Sequence, residues 1–290
     1  MDGWQIGRAR ITPVIEVETK TSPRFLFKSV DRSAVQAYAA RAPWLDNDFV
    51  DPEGYLLQRI QCLVIEVDGT RIAVDTCVGN DKTRANPGWH NLQLPFLSDL
   101  EAAGFPAESI DAVVCTHLHV DHVGWNTSLV DGRWVPTFPN ARYLFSKPEF
   151  EYWQVTAQGD DDIFGDSVAP VANAGRADLV PVDHRLDSGV RFDSTPGHTP
   201  GHVSVVIESE GQQAVITGDM IHTPIQIADV DLSSAFDYDQ QAAAATRRSF
   251  LSRYNDDTLV IGTHGGGAGA GRIRADGDQW RLEPVAASAR

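Results

Sequence analysis

Three histidines and an aspartate, packed into six residues directly after an apolar segment, constrain this chain more than any other feature. The cluster is His117-Leu118-His119-Val120-Asp121-His122, and it follows residues 110–116, whose apolar run predicts a buried strand. Side chains two residues apart point the same way in extended backbone, so His117 and His119 can bind one ion. Once the chain turns, Asp121 and His122 can face a second ion. The cluster therefore predicts a metal site at the end of this strand.

Three further candidate ligands, His198, Asp219 and His264, stand at the ends of other segments that the sequence pattern predicts to be short strands. A glycine lies next to each of them, and it lets the backbone turn tightly while the ligand points inward. Imidazole and carboxylate donors without a thiolate suit zinc, and they also accept manganese, iron or cobalt. The recurrence of such donors at strand ends supports the prediction of a metal site.

Together these residues resemble the signature of the metallo-β-lactamase superfamily, H-x-H-x-D-H followed by a distant His, Asp and His. The resemblance implies a centre of two divalent ions. It also implies which side chains hold them: His117, His119 and His198 on one ion, Asp121, His122 and His264 on the other, and Asp219 on both. Asp75 matches the buried acid of this superfamily that orients the site without binding the metal itself.

The resemblance also implies the fold class, which is α/β (α+β). We expect a four-layer αββα sandwich in which two mixed β-sheets pack face to face and helices cover both outer sides. A hydrophobic content of 42% and a charged content of 22% are those of an ordinary globular protein. No linker-like change in composition divides the chain, so we predict one domain over residues 1–290.

A long excursion over residues 19–54 separates the first two predicted strands, at 10–17 and 56–67. It contains a helical pattern over 31–42 and several aromatic residues. Connections of this length are uncommon inside compact domains and are typical of lids or binding loops. The excursion and Trp89, Trp125 and Trp153 would then supply apolar walls for a substrate. The alternative is that these aromatic side chains complete the core.

The charge balance and the cysteines restrict partners and compartment. The chain has 24 basic and 40 acidic residues, and its net charge of −16 argues against a nucleic-acid or anionic-membrane partner. It contains neither a long apolar run nor the pattern of a signal peptide. Cys62, Cys77 and Cys115 lie in apolar runs without C-x-x-C spacing, which predicts buried, reduced thiols. We therefore predict a cytoplasmic protein.

Within the superfamily, the chain resembles the branch of N-acyl homoserine lactone lactonases, which are quorum-quenching enzymes, and methyl-parathion-type hydrolases. Residues 75–81, 195–202 and 218–222 carry this resemblance, which implies that His202 supports the site without binding metal. The lactonases have a tyrosine three residues after the bridging aspartate, where this chain has His222. His222 can donate a hydrogen bond to a developing oxyanion, line the pocket, or simply pack.

The predicted function is a dinuclear metal-dependent hydrolase that opens a lactone or cleaves a related ester. A metal-bridging hydroxide attacks the carbonyl carbon, and Asp121 and His222 are the predicted catalytic residues, with Asp121 relaying a proton to the leaving alkoxide. The substrate is expected to be small and neutral or apolar, no organic cofactor is expected, and the resemblance suggests a homodimer.

Other functions remain open at this point. They are an organophosphate triesterase, another small-molecule metallohydrolase acting on a β-lactam or thioester, an iron-dependent redox relative, and a non-catalytic module that keeps the site as a structural metal clip.

Overall fold

The structure is a computed structural model, and it describes residues 2–45, 48–156, 161–267, 269–277 and 279–289. The described strands, in chain order, are β1 (Trp4–Ile6), β2 (Ala9–Thr21), β3 (Leu56–Val67), β4 (Thr70–Val74), β5 (Ala112–Val114), β6 (Thr127–Val130), β7 (Arg133–Pro136), β8 (Arg142–Ser146), β9 (Ala177–Val180), β10 (Val190–Ser194), β11 (Val203–Ser209), β12 (Gln212–Ile216), β13 (Leu259–Ile261), β14 (Ala270–Asp276) and β15 (Gln279–Pro284). The α-helices are α1 (Pro23–Leu26), α2 (Arg32–Arg41), α3 (Phe96–Ala102), α4 (Val120–Val123), α5 (Lys147–Val155), α6 (Ala169–Asn173), α7 (Ile225–Ala228) and α8 (Gln240–Arg253).

The strands form two mixed sheets and a separate hairpin. The first sheet has the order β1-β2-β3-β4-β5-β8-β9, the second has the order β10-β11-β12-β13-β14-β15, and β6 and β7 form a two-stranded sheet. The sequence Asp68-Gly69 predicts a hairpin turn, and these residues join β3 to β4. Both residues have positive φ, 49° and 83°, as a two-residue hairpin of this kind requires.

Three apolar layers hold the sandwich together. The middle layer lies between the sheets and is built from inward-facing residues of both, such as Leu63 and Val205. A second layer packs α3, α5 and α6 against the outer face of the first sheet, and a third packs α2, α7 and α8 against the second. The predicted four-layer αββα sandwich is therefore confirmed, while the extent of a single domain over residues 1–290 stays a prediction. Among the described residues, no helix is long and apolar enough to cross a membrane.

Two parts of the chain differ from what the sequence pattern predicts. The apolar run over residues 259–262 predicts the last core strand, but β14 and β15 follow it as an edge hairpin. Most positions of that hairpin are at least partly exposed, with Ile273 and Leu282 among the buried exceptions, so its apolar signal is weak. The glycine-rich run over residues 262–271 predicts a flexible turn, yet it is tied to the first sheet, since Gly266 N–H donates to the carbonyl oxygen of Leu57 on β3 at 3.1 Å.

The N-terminal excursion is shorter than predicted because β2 continues to Thr21. The helical pattern over 31–42 is confirmed as α2, whose first turn is capped by Asp31 accepting from Ala34 N–H at 3.0 Å. Its aromatic residues divide between the two interpretations: Phe27 and Phe49 are buried in the core, whereas Phe25 remains 42% exposed. The excursion therefore completes the core and also offers a surface.

A buried ion network fixes the loop between β4 and α3. Lys82 is fully buried, and its Nζ donates to Thr127 Oγ1 at 2.7 Å and to the carbonyl oxygen of Asp166 at 3.1 Å. Asp166 is held in turn by both terminal nitrogens of Arg84, at 2.6 and 3.0 Å. Burial lowers the pKa of Lys82 to about 7, in spite of the neighbouring Asp166 carboxylate. The loop is thus anchored by a lysine that sits near its titration point at neutral pH.

The lowered pKa of Lys82 predicts that the free energy of unfolding depends on pH. Between about pH 7 and pH 10 the unfolded chain keeps the Lys82 proton and the folded chain does not, so raising the pH favours the folded protein. The unfolding free energy of the wild type, minus that of Lys82→Met, should therefore rise with pH across this window, by up to about 1.4 kcal/mol per pH unit. Urea unfolding of both proteins at matched pH values measures the difference. Parallel stability curves would contradict the prediction.

Candidate metal centre

The histidine cluster after β5 has the geometry that its spacing predicts. The backbone is extended at His119, with φ −73° and ψ 163°, and α4 begins at the next residue. The rings of His117 and His119 contact each other with their centroids 4.7 Å apart. Asp121 and His122 lie on the first turn of α4 and point to a neighbouring position. One short segment therefore supplies donors to two adjacent places.

The other three donors reach the same place because their strands end at one edge of the second sheet. β12 and β13 are parallel, and β10 runs in the same direction because antiparallel β11 separates it from β12. The carboxyl ends of these strands therefore meet, which is where α/β proteins place their ligands. His198 follows β10, Asp219 follows β12 and His264 follows β13.

The seven predicted donors form two groups with ligand atoms within 4.8 Å of one another: His117, His119, His198 and Asp219 in the first, and Asp121, His122 and His264 in the second. In the first group, His119 Nδ1 lies 3.0 Å from His117 Nε2 and 2.8 Å from His198 Nε2. In the second, His122 Nε2 lies 3.2 Å from His264 Nε2.

Asp219 lies between the two groups and turns one carboxylate oxygen toward each. Its Oδ1 is 3.0 Å from His264 Nε2 and 3.2 Å from His122 Nε2, whereas its Oδ2 is 3.6 Å from His198 Nε2 and 3.9 Å from His117 Nε2. The side chain is 6% exposed. One carboxylate thus connects both groups.

The donor set fits metal binding in spacing and in chemistry. Ligands of a tetrahedral zinc ion at about 2.0–2.1 Å lie about 3.3 Å apart from each other. The measured nitrogen–nitrogen separations, 2.8 to 3.2 Å, are close to that value. Facing ring nitrogens cannot all be satisfied by hydrogen bonds to one another, because a neutral imidazole has a single N–H. These His and Asp clusters could hold metal ions, and their geometry does not select which metal.

Burial and charge act in opposite directions on the histidines of the two groups. Burial lowers the pKa of His119 to about 4 and also lowers the pKa of His117 and His198. Burial opposes a charge on His264 as well, but the Asp219 carboxylate raises the pKa of His264 to about 9. Neutral imidazole is the form that binds metal. The first group is therefore already in its binding form near neutral pH, whereas the second gives up protons on binding.

The outward-facing ring nitrogens of three histidines are fixed by acceptors behind them. His122 Nδ1 donates to Asp75 Oδ2 at 2.8 Å, and His264 Nδ1 donates to the carbonyl oxygen of Arg59 at 2.8 Å. Asp75 also accepts from Thr116 N–H at 2.8 Å, which ties it to the segment that leads into the cluster. Such partners set the tautomer and leave Nε2 free to face the centre. Asp75 thus lies where the resemblance implies.

The third acceptor is Asp237, whose place shortly before a helical pattern predicts an N-cap and gives no sign of a contact with the site. The cap of α8 is Asp239, and Asp237 Oδ1 instead accepts from His198 Nδ1 at 2.9 Å. Its other oxygen lies 3.7 Å from Nη1 of the fully buried Arg247. Arg247 lies within α8 and supports this acid. Asp237 and His198 are 39 residues apart, so no local pattern connects them.

His202 contacts the site through its neighbours rather than facing the centre. Its Nε2 accepts from Asp219 N–H at 3.0 Å, and its Nδ1 lies 2.8 Å from Thr195 Oγ1. Burial lowers the pKa of His202 to about 3, so the ring is neutral and both nitrogens are used. This position agrees with the implied supporting role.

His222 faces a cavity beside the two groups. It is 3% exposed, and its Nε2 lies 3.4 Å from Asp219 Oδ2, yet neither ring nitrogen has a hydrogen-bond partner among the described residues. Burial lowers the pKa of His222 to about 3, so the ring is neutral and keeps one N–H. The side chain therefore keeps a buried N–H donor at the lining of the cavity.

The cavity has a volume of about 170 Å³ and a mainly apolar roof. Phe25, Trp89 and Phe236 form the roof, with Phe25 contacting the other two rings at centroid distances of 6.3 and 5.1 Å. Asp121 and His222 lie on its floor with the metal-binding groups. Trp125 and Trp153, also expected as walls, do not line this cavity. They donate instead to Glu16 and Glu149, at 2.6 and 2.7 Å.

The family follows from the sequence as a whole. Residues 57–278 match the model of the metallo-beta-lactamase superfamily, which is more than half of the chain. The chain belongs to this superfamily. The predicted family and fold are thereby confirmed.

The curated relatives of this superfamily member are distant. An N-acyl homoserine lactonase from a Bacillus species is 25% identical over 182 residues, which cover 59% of this chain and 66% of the relative. Two solved structures show the same fold over nearly the whole length. A beta-lactamase-superfamily hydrolase called AbOPH has a TM-score of 0.81 and 22% identity, and covers 99% of this chain and 98% of its own. AidC, a dizinc quorum-quenching lactonase with a bound product, has a TM-score of 0.79, 19% identity and the same coverage.

The Asp237 contact gives a first test of this superfamily site. Asp237→Asn removes the charge that orients His198, so we expect metal affinity to fall about 10-fold, within the 10–100-fold range typical of such partners. Competition with a chromophoric chelator measures the affinity. Asp231→Asn is the matched control, because that side chain is 73% exposed and pairs only with Arg248 among the described residues. Equal affinities for Asp237→Asn and the wild type would refute the role.

Proposed function

We propose that this chain is a dinuclear metal-dependent hydrolase that opens a lactone or cleaves a related carboxylic ester. The observation that carries the proposal is the position of Asp219, whose two oxygens face two separate groups of histidines at 3.0 and 3.6 Å. A carboxylate placed in this way suits two ions about 3.5–4 Å apart, the spacing of two-metal hydrolases. The lactonase relatives support the reaction class.

The side chains divide into two proposed subsites. The first subsite consists of His117, His119 and His198, the second consists of Asp121, His122 and His264, and Asp219 belongs to both. When bound, two divalent ions, with zinc as the first candidate, supply a nucleophile from water near neutral pH and polarise the scissile carbonyl. The chain itself contributes rigid donors, a shaped cavity and proton transfer.

Asp121 is suited to carry the proton that the leaving group needs. It lies on the cavity floor, and its oxygens stand 3.7 Å from His122 Nε2 and 3.5 Å from His264 Nε2, both beyond hydrogen-bond distance. A carboxylate at this position can hold a proton and deliver it to the departing alkoxide. Ring opening of a lactone produces such an alkoxide.

His222 is suited to stabilise the oxygen on which charge develops. Its ring is buried, and both of its nitrogens lack partners among the described residues. A fixed N–H donor in a water-poor site favours the oxyanion of the transition state over the neutral carbonyl. It occupies the place where the resembling lactonases have a tyrosine.

The cavity favours a compact, neutral substrate. Its volume of about 170 Å³ is small, and the aromatic roof suits a ring or a short apolar group. Arg59, the basic residue that lines it, is held by Glu18 at 2.7 Å, which leaves it poorly placed to bind a substrate carboxylate. The sequence-derived expectations of a cytoplasmic location and a homodimer stay predictions.

A substrate panel tests the reaction class. Metal-free protein reconstituted separately with zinc, manganese, cobalt or iron should hydrolyse at least one lactone or aryl ester. Asp219→Asn should lower the turnover rate at least about 100-fold, which is more than the removal of a hydrogen-bond partner behind a metal ligand typically costs. Elemental analysis should find two ions in the wild type and fewer in the variant. Phosphotriesters, a β-lactam and a thioester are tested in parallel. If the protein binds two ions but hydrolyses none of the substrates in the panel, the remaining alternatives are a structural metal clip and a redox enzyme.

Variants of His222 separate a donor from a packing residue. His222→Phe keeps an aromatic ring but removes the N–H, so kcat should fall on the order of 10²–10³-fold while KM changes little. His222→Tyr restores an O–H donor and should recover much of that loss. Steady-state kinetics on the best ester substrate gives both constants, with metal content checked to be unchanged. Full activity of His222→Phe would assign His222 to packing.

A further inference from the structure

Two glutamates outside the proposed donor set accept hydrogen bonds in the same manner. Each accepts from two backbone N–H groups and from the indole N–H of one tryptophan. They are Glu149, at the start of α5, and Glu16, within β2. Neither belongs to a group of candidate metal ligands among the described residues. Glu149 contacts segments of the first proposed subsite, and Glu16 contacts segments behind the second.

Glu149 connects the two segments that carry the three histidines of the first subsite. Its Oε1 accepts from Leu118 N–H at 3.1 Å, and Leu118 lies between His117 and His119. Its Oε2 accepts from Gly201 N–H at 2.9 Å, three residues after His198. The side chain is 1% exposed. A single buried carboxylate therefore sets the distance between these two segments.

The surroundings of Glu149 leave little freedom for either segment. A Cβ at Gly201 would come within 2.2 Å of the Glu149 backbone nitrogen, so the loop approaches α5 as closely as a glycine allows. Glu149 Oε1 also accepts from Trp153 Nε1 at 2.7 Å, and the Trp153 ring packs against the ring of His119 with their centroids 5.3 Å apart. The same carboxylate thus positions a side chain that limits the movement of a candidate ligand.

Glu16 reaches the other half of the site through a β-bulge. The pairing of β2 with β3 shifts by one residue between Ile15 and Val17, so Glu16 is the extra residue. Bulges redirect side chains in this way. Glu16 Oε2 accepts from Val78 N–H at 2.8 Å, and Oε1 accepts from Gly79 N–H at 3.1 Å and from Trp125 Nε1 at 2.6 Å.

The segments that Glu16 connects are those behind the second subsite. Thr76 N–H donates to the carbonyl oxygen of His122 at 2.7 Å, and Gly124 N–H donates to that of Cys77 at 2.7 Å. A Cβ at Gly124 would come within 1.7 Å of the Val78 carbonyl oxygen, so the two loops touch backbone to backbone. Glu16 therefore fixes the loop against which Asp121 and His122 are placed.

We propose that Glu149 and Glu16 are positioning residues, each for one metal subsite: Glu149 for the subsite of His117, His119 and His198, and Glu16 for the subsite of Asp121, His122 and His264. Hydrogen bonds to a carboxylate are stronger than neutral ones, and loss of outer partners weakens metal sites 10–100-fold. This inference rests on the proposed dinuclear centre. It adds that the two ions depend on separate supports.

The test measures each subsite separately in Glu149→Gln and Glu16→Gln. In glutamine, an NH₂ group replaces one oxygen and faces an N–H donor, so at least one of the three hydrogen bonds is lost with little change in volume. Crystals equilibrated with buffered zinc concentrations give, by anomalous scattering, the occupancy at each position. We expect Glu149→Gln to weaken the first subsite about 10-fold relative to the second, and Glu16→Gln to do the reverse.

Two controls separate positioning from general destabilisation. Glu151→Gln, at a position of α5 whose side chain is 58% exposed, should leave both occupancies unchanged. If a glutamine variant fails to fold, Trp153→Phe and Trp125→Phe replace it: each removes the indole N–H together with part of the ring, and each should shift the same subsite as the corresponding glutamate variant. Circular dichroism of the metal-free proteins records any common loss of stability.

The outcomes are distinguishable. If the wild type binds two ions, and each glutamate variant either weakens both subsites equally or weakens neither subsite, then the positioning inference is wrong and the proposed function stands. If the wild type itself binds fewer than two ions, the dinuclear proposal fails and the inference fails with it. Opposite selectivity in the two variants supports the inference.

Discussion

The gathering of seven imidazole and carboxylate side chains, most of them buried, where strands of both sheets end is the constraint on which the rest of this structure depends. Polar groups removed from water destabilise a protein unless they are hydrogen-bonded, paired or bound to an ion. Here the outward nitrogens of His122, His198 and His264 are satisfied by protein acceptors. Their inward nitrogens converge around Asp219, where cations would supply what the protein does not. The two sheets serve to bring the strand ends into this position.

Much of the fold and most of the candidate site can be predicted from short stretches of sequence. Buried strands give continuous apolar runs, and the donors follow those runs directly, so both signals are local. The edge hairpin of β14 and β15 was missed because only one of its faces is buried. Its alternating pattern competes with a high local content of arginine and glycine.

Three supports of the site could not be predicted, for a different physical reason. Glu16, Glu149 and Asp237 act across 62, 52 and 39 residues of sequence, and the two glutamates bind mainly backbone N–H groups. Every residue other than proline carries such a group, so no residue type marks the partner. Backbone strain could not be predicted either. Asp75 and Cys77 adopt positive φ, 55° and 54°, although neither is glycine. Such conformations persist where surrounding contacts hold them, as the hydrogen bonds of Asp75 do.

The roof of the cavity has a consequence for how enzymes of this kind diversify. Phe25 belongs to the N-terminal excursion, Trp89 to the loop before α3, and Phe236 to the loop before α8. Each can be exchanged without changing a candidate metal ligand, because none comes from a segment that ends a donor-bearing strand. Selection for a new substrate can therefore change the aromatic roof one residue at a time, while the candidate metal ligands on the opposite side of the cavity stay the same.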